Sequence, residues 1–241
     1  MTKVFSWKKR TEGARLAGYV FAFLVLLCPV LLCAQDQDFQ VRAGVELKQD
    51  LPDGFSLRLG YQARFDENAQ QFKGGYTSAD LSYKLHKRID LLGEFRYATS
   101  TSWDKFRFGV GVAFSGKVEK IDLSAKLRYQ YEHFLQNLPE IGQYPDRQNL
   151  RLKLEAERKI VKHLRLHVST EPQIRSEEMR PHFQRIRNIV GLKWEIAKRH
   201  TLDLSYYYQP QFKATLDKTY HMAVLSYCMD LPKWWKKKGR K

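Results

Sequence analysis

The stretch "HVSTE" sets His167, Ser169 and Glu171 at successive steps of two. On a β-strand such residues share one face. A base, a hydroxyl and a carboxylate are the types that acyl transfer uses. Residues two apart on a strand stand about 6–7 Å apart, beyond direct nucleophile–base hydrogen bonding, and no glycine-rich elbow surrounds Ser169. The trio reads either as the core of a hydrolase or as a polar stripe on one strand face, and the spacing favours the stripe. Metal binding has less support. His163 and His167 share a face only if His163 leaves an expected turn, and no acid or cysteine is spaced as a further ligand. "FKGGYT" around Gly74 and Gly75 is a turn with no helix after it, unlike a phosphate loop. No metal and no cofactor is expected.

A broader set of charges is more informative. Arg58, Arg64, Glu94, Arg96, Arg107, Arg128, Arg151, Glu155 and Arg165 all lie on strand faces opposite apolar ones. If these residues line an interior they must pair or stay wet, because a buried unpaired charge costs several kcal/mol. Glu94 and Arg96 are expected near Arg107, and Arg128 near Glu155. The excess of arginine favours anions if a path runs through; the other outcome is a salt-bridged plug.

Alternation carries these charges along the whole chain. Strands are expected near 39–48, 55–65, 76–86, 90–99, 104–114, 121–131, 148–157, 164–174, 184–196, 201–212 and 219–229. Their apolar sets include Val41, Ala43, Val45 and Leu47, and later Phe106, Phe108, Val110, Val112 and Phe114. No stretch has a helical period and no linker divides the chain, so one all-β domain is expected. Tight connections ("QDLPDG", "HKRID", "SGKVEK", "RKIVKH", "AKRH") alternate with looser ones near 66–75, 100–103, 132–147, 175–183 and 213–218. That wiring belongs to an up-and-down antiparallel transmembrane β-barrel with its short turns in the periplasm. Strands of about ten residues suit a bilayer at a tilt near 45°, and aromatics gather toward strand ends as girdles do. Single-chain bacterial barrels have even strand numbers, so ten or twelve is expected where eleven are counted, with a missed strand sought in "HFLQNLPEIGQY".

The ends of the chain suggest its destination. Residues 1–34 have a basic start, the apolar run "LAGYVFAFLVLLCPVLLCA" and then "QDQD". This is the layout of a signal peptide cleaved after Ala34. A retained anchor and a lipidated Cys33 are the rival readings. Without residues 1–34 the single cysteine is Cys228, so no internal disulfide is expected. The net charge of the whole chain is +16, but the six cations of the tail 232–241 and the basic start leave only +6 for the body, residues 35–232. A nucleic-acid footprint would be spread over a face, so no nucleic-acid partner is expected. Trp234, Trp235 and the tail cations suit anionic lipid headgroups; the plainer reading is a solvated end. Outer-membrane lipid and lipopolysaccharide are the expected partners, and the sequence identifies no partner protein.

The motifs "LRLGYQARF", "LSYKL…IDLLGEFRYAT", "LSAKLRYQYE", "NLRLKLEAERKI", "HVSTEPQI" and "RIRNIVGLKWEIAKRHTLDLSYYYQP", with a signal ending in "CAQ", span about residues 39–229. In these the chain resembles bacterial outer-membrane proteins catalogued as domain of unknown function 2490. The resemblance implies an outer-membrane β-barrel and no activity. The chain departs from the usual barrel ending, an aromatic final residue, because "LSYCMDL" is followed by the tail. The His-x-Ser pair is also faintly similar to that of outer-membrane lipid A deacylases.

These readings lead to a barrel of the outer membrane (35–231), apolar outside and charged inside, acting as a passive small pore or a structural and binding component. Two alternatives stay open: a lipid-acting barrel enzyme using His167, Ser169 and Glu171, and a secreted soluble β-barrel carrying an apolar ligand.

Overall fold

Period-two segments rich in Val, Leu, Ile, Tyr and Phe can bury or shed one face only by pairing edge to edge, and the chain does so until the sheet closes on itself. The computed structural model describes residues 36–233 other than 102, 136, 139–141, 144, 178–179 and 213–217. The expected signal peptide and the tail from Trp234 onward lie outside the described residues.

The strands are β1 (Asp36–Asp50), β2 (Phe55–Asp66), β3 (Gln71–His86), β4 (Ile89–Thr99), β5 (Asp104–Val118) and β6 (Ile121–Phe134). Two short ones follow, β7 (Asn137–Leu138) and β8 (Gly142–Gln143), and then β9 (Arg147–Val161), β10 (Leu164–Glu177), β11 (Arg180–Ala197), β12 (His200–Gln211) and β13 (Lys218–Asp230). β7 and β8 pair only with each other. The other eleven form a closed barrel in the order β1-β13-β12-β11-β10-β9-β6-β5-β4-β3-β2. The ten or twelve expected from even numbering is therefore not met among the described residues, and "HFLQNLPEIGQY" supplies a two-residue ladder instead of a twelfth barrel member. The loose connection expected at 175–183 is also corrected: β10 and β11 stay paired to their ends, with Glu177 opposite Arg180.

An odd count has a geometric consequence. Each successive pair from β1 to β13 is antiparallel, so β1 and β13 run the same way and the seam that closes the barrel is parallel. At that seam Leu231 N donates to Lys48 O at 2.7 Å and Gln49 Nε2 to Pro232 O at 3.3 Å. Lys233 pairs with Asp50 at 2.9 Å.

The tight connections all fall at the rim where β1 ends. The first, Pro52–Gly54, is a single 3-10 turn, with Asp53 and Gly54 in the left-handed region at φ 57° and 84°. The looser connections and the start of β1 lie at the opposite rim.

Strands of 11 to 18 residues exceed the 9–11 that a tilted membrane strand needs. With eleven strands the backbone radius is about 11 Å. The large apolar side chains face outward: Val45, Leu81, Phe108, Val110, Leu127, Leu152, Trp194 and Leu204 are all exposed on the outer wall. The inner wall is mostly polar and charged, with a few buried apolar side chains among which are Ala98, Ala113, Phe134, Ile189, Met222 and Val224.

Candidate functional site

Inward-pointing residues from β4 to β12 join into one belt. Glu132 on β6 is 1% exposed. It accepts hydrogen bonds from Lys105 Nζ at 3.0 Å and Arg107 Nε at 2.8 Å. Arg107 also lies 3.8 Å from Glu94 Oε1, which Arg96 approaches at 3.5 Å. The other oxygen of Glu94 takes Arg128 at 3.2 Å and Gln130 Nε2 at 2.7 Å. Gln130 Oε1 in turn accepts from Arg151 Nη1 at 3.1 Å, and Arg151 Nε donates to Glu171 at 3.1 Å. Arg187 completes the belt, 3.4 Å from Glu171 and donating to Gln209 at 2.8 Å. Three buried carboxylates thus serve six cations. Charge-assisted hydrogen bonds of this kind are about twice as strong as neutral ones, and they hold the inner side chains against the wall.

Inside the belt lies a cavity of about 1040 Å³. Sixteen Lys and Arg against six Asp and Glu line it. Glu94, Glu46, Asp230 and Glu155, set outside that lining, pair with several of the cations, and cations still outnumber all of these acids together. The lining runs from Asp50 and Lys84 near the tight-turn rim to Arg64 and Trp103 near the other. On the β1–β3 side the wall is arginine and aromatic: Arg42 stands directly opposite Arg64, Arg96 lies over the Tyr76 ring at 4.0 Å, and the Tyr76 hydroxyl donates to Gln62 Oε1 at 2.9 Å.

The residues singled out in the sequence fall as follows. Arg58, Arg64, Arg96, Arg107, Arg128 and Arg151 line the cavity, and Glu94 is 6% exposed in its wall. Arg128 pairs with Glu94, two strands away, and not with Glu155 as expected. Glu155 binds Lys153 and lies 3.8 Å from Lys193. Arg165 sits at the tight-turn rim, outside the cavity lining, paired with Glu157 at 3.2 Å and with Glu195. Gln130 and Glu132 were missed, although they continue the inward positions of Lys126 and Arg128.

His167, Ser169 and Glu171 all point inward and are buried, but they do not form a catalytic set. Glu171 is engaged by Arg151 and Arg187, and Ser169 Oγ has no hydrogen-bond partner among the described residues. His167 Nε2 instead lies 3.3 Å from both Asp203 Oδ1 and Ser205 Oγ on β12, and Ser205 donates to Asp203. Asp and Ser crowd the same ring nitrogen while Nδ1 has no partner, whereas a relay needs them on opposite nitrogens.

This contact spans the intervening strand because Gly191 lies between His167 and Ser205. A Cβ there would come 2.3 Å from both His167 Nε2 and Ser205 Oγ. Gly191→Ala is therefore expected to cost about 1–3 kcal/mol through overpacking, measured as a lower unfolding midpoint of the detergent-solubilised barrel. Gly116→Ala, with nothing within 4 Å of the added Cβ, is the control and should leave the midpoint unchanged.

The family model described as "Protein of unknown function (DUF2490)" matches residues 39–220. No curated protein sequence matches the chain. Among solved structures, the NanC porin is 11% identical with a TM-score of 0.47, over 70% of this chain and 86% of its own. The KdgM porin is 12% identical with a TM-score of 0.45, over 71% and 91%. An anion-selective porin from Comamonas acidovorans is 13% identical with a TM-score of 0.35, over 74% and 53%.

Proposed function

The chain belongs to the family described as "Protein of unknown function (DUF2490)", and from that premise we propose that it is a passive pore of the outer membrane whose lumen favours anions. The observation that carries this reading is the cavity wall, where sixteen cations face six acids around about 1040 Å³. Long arginine and lysine side chains on a barrel of about 11 Å radius reach roughly halfway to the axis, which leaves a narrow wet path. A ring of cationic side chains with water beside it lowers the barrier for anions and raises it for cations. The apolar outer wall and the strand lengths suit a bilayer, with lipid and lipopolysaccharide as the partners of that wall. The signal-peptide layout of residues 1–34 fits export, and the tight-turn rim then faces the periplasm.

The two alternatives each ask for something else. A soluble carrier of an apolar ligand needs an apolar interior, and this cavity is charged. A lipid-acting enzyme needs Ser169 next to a base, and the partners of His167 are Asp203 and Ser205.

The test is conductance of the refolded barrel, lacking residues 1–34, in a planar bilayer under a potassium chloride gradient. Discrete steps with a reversal potential of chloride sign are expected. A well-inserted but silent barrel would show that the charges plug the lumen, and the pore reading would fall.

A further inference from the structure

Cations stand directly opposite one another at several places in the ladder, an arrangement that destabilises a sheet unless something answers the charge. Arg96 faces Arg107, and Glu94 pairs with both. Arg128 faces Arg151, and these reach Glu94 and Glu171. Lys48 faces Arg58, answered by Asp230 and Glu46. Arg42 facing Arg64 breaks the pattern. Among the described residues no carboxylate forms an ion pair with either one; Arg42 donates only to Gln40 Oε1, at 3.3 Å. The buried atoms Arg42 Nε, Arg64 Nε and Arg64 Nη2 have no hydrogen-bond partner. Both side chains line the cavity, and both lie near the looser rim.

We propose that Arg42 and Arg64 form an oxyanion-binding station at the looser mouth of the lumen, which takes a phosphate or carboxylate group of the solute that passes through. This rests on the pore reading and names the class of solute. A guanidinium presents a planar fork of N–H donors that matches the oxygens of such a group. The oxyanion supplies the acceptors that the three buried nitrogen atoms lack and neutralises the facing charges. Arg64 lies 6.0 Å from the Tyr76 ring and 5.9 Å from that of Trp103, so aromatic walls hold it at the station.

Two readouts separate the station from the pore. The first is the unfolding midpoint of the detergent-solubilised barrel in sodium phosphate and in sodium acetate, against sodium chloride of equal ionic strength. The second is block of chloride current by inorganic phosphate. Phosphate or acetate is expected to raise the midpoint of the wild type and not of Arg64→Gln, and block is expected to weaken about tenfold in that variant. Arg64→Gln, relieved of the facing charge, is expected to be no less stable than wild type in chloride. Arg64→Lys keeps the charge but loses the fork, so it should recover only part of the block. Protection by phosphate alone or acetate alone assigns the source of the oxyanion. Protection without any conductance leaves the station standing and overturns the pore. Conductance with neither oxyanion acting beyond chloride overturns the station and leaves the pore.

Discussion

Replacing Glu132 by alanine is expected to lower the stability of the folded barrel by about 3–5 kcal/mol, the usual cost of stranding a buried charge. Glu132 is among the most enclosed side chains of the barrel, and it holds two cations, Lys105 and Arg107. Lys105 cannot easily turn to water once released, because its ammonium lies between Trp103 at 4.8 Å and Phe134 at 5.3 Å. Arg107 keeps only the longer contact to Glu94. The measurement is the urea midpoint of the barrel refolded into lipid vesicles, followed by tryptophan fluorescence. Adding Lys105→Met to Glu132→Ala should recover part of the loss, since one stranded charge is then removed. A Glu132→Ala barrel within about 0.5 kcal/mol of wild type, the range of an ordinary surface change, would mean that this part of the lumen is fully hydrated.

The outer wall gives the second large effect. Leu127 sits near the middle of β6, faces outward, and has Val112 and Leu152 opposite it on the neighbouring strands. Leu127→Arg is expected to cost about 2–4 kcal/mol in a bilayer, where a cation at mid-depth has no water, and a cation near the interface costs only about 0–1. Val118→Arg, at the end of β5 and exposed, is the matching rim variant. A difference between the two in vesicle-refolded protein reports depth in hydrocarbon. On a soluble barrel both would be surface changes within about 0.5 kcal/mol, and equal small values would sink the membrane reading.

The strands were legible because period two holds along most of each one, with bulges such as that between Gln173 and Ile174 shifting it only locally. Ten of the eleven expected segments lie wholly within an observed barrel strand, and 201–212 runs one residue past β12. The strand ends were not legible, since hydrogen bonding outlasts alternation. β9 continues through Arg158–Val161, where charged and apolar residues no longer take turns. Which face meets the interior was also open in the pattern, and the barrel places the charged one inside. The partners within the lumen were the least legible part. Alternation gives a side chain's face but not its height relative to a strand elsewhere in the barrel, so the pattern points Arg128 toward Glu155, whereas its partner is Glu94. His167 shows the same gap. Its partners Asp203 and Ser205 come from β12, and the one clue was a glycine, Gly191, at an inward position between them.

The parallel seam also has a kinetic meaning. Every other barrel ladder joins strands that are adjacent in sequence or, for β6 and β9, separated by the short β7–β8 ladder, so the sheet can zip up nearly hairpin by hairpin at little loop-closure cost. Joining β1 to β13 brings together residues 183 positions apart, as in the contact of Gln49 with Pro232, and parallel pairing is slightly weaker per residue than antiparallel. Closure is then expected to be the last and slowest step of assembly. Until it occurs the nascent sheet carries two open edges, and hydrogen exchange of the folded barrel is expected to reach the amides of that seam first.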